Sequence, residues 1–316
     1  MTGKTLGVRR ILLAAPRGQC AGVRRAVSAV EEGLARWGPP LYVRRQIVHN
    51  AHVVKSFEQR GVVFVHELDE IPDGARVVFS AHGVAPAVET DARERRLRVV
   101  DATCPLVTKV HSEVRHYADR GYTVILIGHA GHDEVEGTSG VAPDAVLLVE
   151  NVEDAELVEP PTERVAFVTQ TTLGIDETTA IVDVLRRRFP AIESPAKEDI
   201  CYATTNRQRA VAALLGEIDV LLVVGSGNSS NSRRLVEVAA ARGVTAHLVE
   251  NEWAMCEAWL DGVETVGITA GASTPEVLVE RLLAWLAERT DALVEERGDP
   301  VEDVEFRLPA AVRTAT

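Results

Sequence analysis

Short apolar runs rich in β-branched residues recur along the chain, at 10–14, 41–44, 62–65, 76–80, 99–102, 123–128, 145–149, 165–169, 220–225, 245–248 and 265–269. Each is too short for a helix and long enough for a buried strand. Between many of them the apolar positions switch to helical spacing, over 21–37, 86–95, 106–119, 178–189, 205–217 and 230–242. Strands alternating with amphipathic helices predict an α/β fold, with mostly parallel sheets covered by helices on both faces. Ligands of such sheets bind beyond the carboxyl ends of the strands. The loops that follow the strands are therefore where chemistry is expected.

Those loops carry the unusual residues. PRGQCAG follows 10–14, TCPLVTK follows 99–102, and DICYATTN precedes the 205–217 helix. Cys20, Cys104 and Cys201 thus stand at or just before helix N-termini. Free N–H groups and the helix dipole favour a thiolate there. The three are far apart in sequence, which excludes a zinc ribbon or a CxxC redox pair. One reading is isolated buried thiols acting as small hydrophobes. The other is three thiolates converging on a soft metal or an iron–sulfur cluster, whose remaining iron stays open to substrate. Cys256, in WAMCEAW, reads as a core thiol between aromatic neighbours. The spacing of the three loop cysteines implies repeated architecture without a residue-level repeat. It divides the chain into α/β units at 10–103, 104–199 and 200–290, followed by a charged, loosely packed C-terminal extension at 291–316.

Histidine forms the second group. His49 ends QIVHN, His82 lies in SAHGV after a strand, and His129 and His132 lie in GHAGHDEVEG after another. Imidazole N–H groups can bind phosphate oxygens. His129, His132 and Glu134 are also conceivable zinc ligands, although their spacing is not HExxH. Glu134, next to a histidine in a sheet-end loop, is the preferred general acid over Glu136. GSGNSSNS at 225–232 can cradle phosphate at a helix start. It lacks the GK[ST] of a P-loop, and its GxGxxS is a weak dinucleotide signal. TAGAS at 269–273 and TQTTL at 169–173 place further hydroxyls at strand ends.

Composition narrows the setting. The 316 residues carry 34 Lys+Arg against 47 Asp+Glu, a formal charge of −13. An acidic chain without a basic, aromatic-interleaved patch is a poor nucleic-acid binder. No apolar run is long enough to span a membrane, and the run at 11–15 is too short for a signal-peptide core. A cytoplasmic protein is expected. A small phosphorylated ligand remains compatible with the charge, because histidine, serine and asparagine donors can bind it locally.

Taken in order, PRGQCAGV, VHN, SAHGV, DATCPLVTKVH, GHAGHDEVEGT, TQTTL, DICYATTNRQ, GSGNSSNS and TAGAS make the chain resemble the 4-hydroxy-3-methylbut-2-enyl diphosphate reductases, enzymes of the non-mevalonate isoprenoid pathway. The resemblance runs from Ile11 to TAGASTPE. It implies a trefoil of three α/β units around a central [4Fe–4S] cluster held by Cys20, Cys104 and Cys201. It implies that the substrate diphosphate is held by His49, His82, His132, Ser229, Ser230, Asn231 and Ser273. It makes Glu134 the proton donor and Thr171 the residue that orients the substrate hydroxyl. Its electron donor would be a ferredoxin or flavodoxin. Three positions depart from the family pattern. Gln19 stands where an aromatic residue is common, Asp133 where proline is frequent, and Gly227 where lysine is frequent. Asp133 is expected to raise the pKa of Glu134, and Gln19 to alter cluster solvation.

Overall fold

A computed structural model describes residues 6–313. The strands are β1 (Arg10–Ala15), β2 (Leu41–Arg44), β3 (Val62–Val65), β4 (Arg76–Phe79), β5 (Arg98–Asp101), β6 (Thr123–Ile127), β7 (Val146–Val149), β8 (Val165–Thr169), β9 (Val220–Val224), β10 (Thr245–Val249), β11 (Thr265–Ala270) and β12 (Leu293–Gly298). The helices are α1 (Ala21–Trp37), α2 (Ala51–Glu58), α3 (Pro86–Glu94), α4 (Pro105–Asp119), α5 (Asp133–Ser139), α6 (Val152–Leu157), α7 (Ile175–Arg188), α8 (Tyr202–Leu214), α9 (Ser230–Ala240) and α10 (Glu276–Ala287). The strands form three sheets, ordered β10-β9-β11-β1-β12, β3-β2-β4-β5 and β7-β6-β8. Every strand pair is parallel. The expected α/β architecture with three parallel sheets is present.

Two compact units contain these sheets. Among the described residues, the first comprises 6–20, 49–53 and 202–304, and holds the five-stranded sheet. On one face of that sheet, Ile11, Leu13, Leu222 and Ile268 pack on Leu278, Val279 and Leu282 of α10. On the other, Leu12, Leu221 and Val223 pack on Val211 and Leu214 of α8 and Leu235 of α9. Period-two alternation along each strand thus feeds two cores. The second comprises 21–48, 54–201 and 305–313, and holds the other two sheets. Ile125, Ile127 and Phe167 pack on Ile181 and Leu185 of α7. Leu126 and Val168 pack on Val110 and Val114 of α4.

Sheet membership departs from the expected boundaries at both ends. The strand at Arg10–Ala15 lies between β11 and β12, so it joins the sheet built by 220–270 rather than that of 41–101. Leu293–Gly298 is a regular edge strand, not a loose extension. Its LVEERG sequence hid it, because charges on an edge strand face solvent and block further pairing. Those charges are partnered: Glu295 with Arg10 at 3.2 Å, and Glu296 with Arg17 at 2.9 Å. The last three residues of the expected extension, 314–316, lie outside the described residues.

Cys256 is exposed and not a core thiol. Its segment folds as two short 3-10 turns, Glu252–Ala254 and Glu257–Leu260, instead of a helix with a buried face. Neighbouring Trp253 is 85% exposed for the same reason. Among the described residues, no helix is long and apolar enough to cross a membrane.

Candidate functional site

The three loop cysteines share one mode of anchoring. Cys20 N–H donates to the carbonyl of Ala272 at 3.1 Å, Cys104 N–H to Ala81 at 2.9 Å, and Cys201 N–H to Thr171 at 3.0 Å. Ala272, Ala81 and Thr171 each lie two residues beyond the end of a strand, in three different sheets. Each cysteine is outside any disulfide and half-buried, and a helix begins at the residue after it. One backbone device is thus used three times. Three cysteines outside any disulfide, each at a helix start, suit a soft metal centre or cluster.

In the second unit, Glu134 follows His132 at the start of α5 and is 2% exposed. Thr171 holds its carboxylate twice, by N–H to Oε1 at 2.6 Å and by Oγ1 to Oε2 at 3.0 Å. Burial raises the Glu134 pKa to about 7, against the two Thr171 hydrogen bonds and with help from the Asp199 carboxylate. A carboxylic acid that keeps its proton near neutrality is suited to general-acid work. The Thr171 carbonyl is also the acceptor for Cys201 N–H, so one residue holds both the acid and a candidate ligand.

Asp133 does not raise Glu134 as expected. Its carboxylate is bound by Arg45, which also pairs with Glu136 at 2.6 Å. A neutralised carboxylate exerts little field on its neighbour. The acidic influence comes instead from Asp199.

His82 and His132 lie edge to face, with ring centroids 5.7 Å apart. His132 Nδ1 accepts the Glu134 N–H at 3.1 Å. In the neutral ring the proton then sits on Nε2. His82 Nδ1 lies 3.3 Å from Ser80 Oγ and 3.8 Å from Asp133. The zinc alternative for His129, His132 and Glu134 loses its carboxylate, since both Glu134 oxygens are taken by Thr171.

The first unit holds the other predicted residues. Ser229 caps α9, accepting Ser232 N–H at 3.3 Å, and Ser230 and Asn231 are buried in its first turn. Asn231 Oδ1 accepts Ala272 N–H at 2.8 Å, and Nδ2 donates to Thr204 Oγ1 at 3.3 Å. Asn231 therefore ties the 225–232 loop to the turn that anchors Cys20. Ser273 Oγ donates to the His49 carbonyl at 2.8 Å, and Ser226 Oγ accepts Ala51 N–H at 3.0 Å. The VHN segment is so fixed by both hydroxyl-rich loops. The glycines flanking this turn are required by crowding. A Cβ at Gly225 or Gly271 would meet Ser232 Oγ at 2.3 Å or 2.0 Å.

Sequence reasoning missed Lys109 and Asp199. Lys109 Nζ bonds Asp199 Oδ1 at 2.6 Å and the Lys197 carbonyl at 2.7 Å, joining the helix capped by Cys104 to the approach to Cys201. Asp199 Oδ2 also accepts Thr169 N–H at 2.9 Å. The only signal was a charge inside each cysteine motif, TCPLVTK and DIC.

Residues 11–287 match the LytB protein family. The chain is 56% identical to a 4-hydroxy-3-methylbut-2-enyl diphosphate reductase of Acidothermus cellulolyticus, over 96% of this chain and 90% of that one. A solved structure of the E-1-hydroxy-2-methyl-but-2-enyl-4-diphosphate reductase from Plasmodium falciparum superposes with a TM-score of 0.92 at 38% identity, covering 96% of this chain and 97% of that one. A second solved structure is described as (E)-4-hydroxy-3-methyl-but-2-enyl diphosphate reductase, the terminal enzyme of the non-mevalonate pathway. It gives a TM-score of 0.64 at 33% identity, covering 89% of this chain and all of that one (100%).

Proposed function

The chain belongs to the LytB protein family, and from that membership we infer that it reduces (E)-4-hydroxy-3-methylbut-2-enyl diphosphate at the end of the non-mevalonate isoprenoid pathway. Two electrons and two protons remove the C4 hydroxyl as water and leave isopentenyl or dimethylallyl diphosphate. Cys20, Cys104 and Cys201 are the residues that would hold a [4Fe–4S] cluster, which supplies single electrons and a Lewis-acidic iron when bound. Their common backbone anchoring, absence from any disulfide and helix-start positions fit that group.

The protein's own share of the chemistry is binding and proton delivery. His49, His82, His132, Ser229, Ser230, Asn231 and Ser273 are our diphosphate ligands. All are imidazole, hydroxyl or amide groups able to hydrogen-bond phosphate oxygens, with no Lys or Arg among them. Glu134 protonates the departing oxygen. Thr171 holds the acid in place and orients the substrate hydroxyl. A small one-electron carrier, a ferredoxin or flavodoxin, is the donor we propose.

One observation carries this mechanism. Thr171 binds Glu134 through its N–H and hydroxyl and binds Cys201 through its carbonyl, so acid and ligand are set by one residue. The test is anaerobic reconstitution with iron and sulfide, followed by metal quantitation, a visible spectrum and turnover with a chemical electron donor. A brown protein with about four irons per chain and substrate-dependent oxidation of the donor is the expected result. A colourless protein that binds nicotinamide tightly would overturn it.

A further inference from the structure

Arg207, on α8, is the bulkiest of the fully buried side chains and is 0% exposed. Its Nε and Nη2 both donate to the carbonyl of Gly18, at 3.0 Å and 2.6 Å. Its Nη1 donates to Ala203 on its own helix at 3.0 Å. Glu302 faces it with both carboxylate oxygens, at 3.1 Å and 3.2 Å, and its side chain is 8% exposed. Asn206 Nδ2 holds the same carboxylate at 3.0 Å. Glu302 lies in the charged C-terminal segment that the sequence presented as a loose extension.

A buried guanidinium needs a counter-charge and a full set of acceptors. Here both converge on the PRGQC turn. Gly18 sits at φ +68°, with its N–H on the Ala270 carbonyl at 3.1 Å. Two residues later Cys20 makes its own bond to Ala272. The turn is thus held on one side by the sheet and on the other by Arg207.

We propose that Arg207 and Glu302 are positioning residues for Cys20: Glu302 fixes the guanidinium, and the guanidinium fixes the Gly18 carbonyl and with it the cysteine turn. The C-terminal segment then belongs to the ligand-holding machinery. This rests on the proposed ligand role of Cys20. The forked contact to one carbonyl requires the guanidinium, because an ammonium cannot place two donors from a rigid plane on one oxygen while pairing with a bidentate carboxylate.

The test compares wild type, Arg207→Lys, Arg207→Met and Glu302→Gln, all as full-length chains. In metal-free protein, the alkylation rate of Cys20 is read relative to that of Cys104 by peptide mass spectrometry. In reconstituted protein, iron release to a chelator and the three-iron signal in electron paramagnetic resonance are followed. Arg207→Lys is expected to fold, to raise the Cys20/Cys104 ratio, and to release iron about 10-fold faster. Glu302→Gln should move both readouts in the same direction by less, and Arg207→Met by more if it folds. A lowered melting temperature with both readouts unchanged in Arg207→Lys and Glu302→Gln overturns the proposal. Wild type that takes up no iron would refute the cluster reading instead, while the alkylation ratio still decides whether Arg207 positions the turn.

Discussion

Replacing Glu134 by Gln exchanges one carboxyl oxygen for an amide in a site closed to water. The Gln Oε1 can keep the Thr171 N–H, and the Thr171 hydroxyl can rotate to accept from Nε2, so the fold should survive. The ionisable proton is lost. Glu134 titrates at about 7 against an ordinary 4.5, and burial is the main cause. That rise corresponds to roughly 3 kcal/mol. Its sign is fixed by linkage. Below pH 4.5 the group is protonated in both folded and unfolded chains. Between 4.5 and about 7 the unfolded chain ionises first, so folding stability falls as pH rises, and above about 7 the deficit is constant. The Gln variant lacks this slope, so its stability relative to wild type should grow across that window in denaturant titrations. Turnover should move the opposite way. Losing a general acid costs about 10²–10⁴-fold, while substrate binding should change little. The wild-type rate should fall as pH rises through about 7, and the residual rate of the variant should show no such limb. A Gln variant within about threefold of wild type, or one with the same pH limb, would refute the assignment of Glu134 as acid.

Thr171→Val deletes the hydroxyl donor to Glu134 Oε2, a bond that lowers the acid's pKa. At roughly 1.5–3 kcal/mol for a hydrogen bond to a charged group, the pH limb should move up by about 1–2 units, and a downward shift in the rate profile would contradict this. Cys104→Ser should lose most of its iron on reconstitution, measured by metal analysis, whereas Cys256→Ser should retain all of it, since that thiol is exposed on a 3-10 turn. Asn231→Ala leaves the Ala272 N–H and the Thr204 hydroxyl without their partner. It should cost about 1–3 kcal/mol for each group left buried and unsatisfied, read by urea unfolding, and it should raise KM.

Much of this was legible along the chain. The apolar runs gave strands nearly residue for residue, most plainly at Thr123–Ile127, Val165–Thr169 and Val220–Val224, which are buried at every position. The Cys20, Cys104 and Cys201 loops stood out because each thiol stands at or just before the start of a helical pattern, beside glycine, proline or hydroxyl residues. What failed was whatever depended on the partner of a residue. Leu293–Gly298 carries its charges outward, so it reads as a tail. Arg10–Ala15 looks like the first strand of the first unit, and only long-range pairing with Thr265–Ala270 and Leu293–Gly298 moves it. Asp133 seemed the obvious neighbour to perturb Glu134 until Arg45 proved to neutralise it. Asp199, distant in sequence, does so instead.

The threefold plan explains why architecture repeats while residues do not. Each cysteine is anchored by its backbone N–H to a carbonyl two residues past a strand end. A carbonyl belongs to every residue type, so Ala81, Thr171 and Ala272 serve equally and selection on the anchor leaves no motif. The side chain at the anchoring position is then free to differ. At Thr171 it carries the hydroxyl that grips the acid, whereas Ala81 and Ala272 carry only a methyl group. The residues that follow, His82 and Ser273, are both polar and both fall among the proposed diphosphate ligands. A backbone-anchored ligand turn therefore holds a thiol and presents variable side chains at once. On the proposed roles, the side chains of Thr171, His82 and Ser273 would serve proton delivery and diphosphate binding from turns of one backbone design.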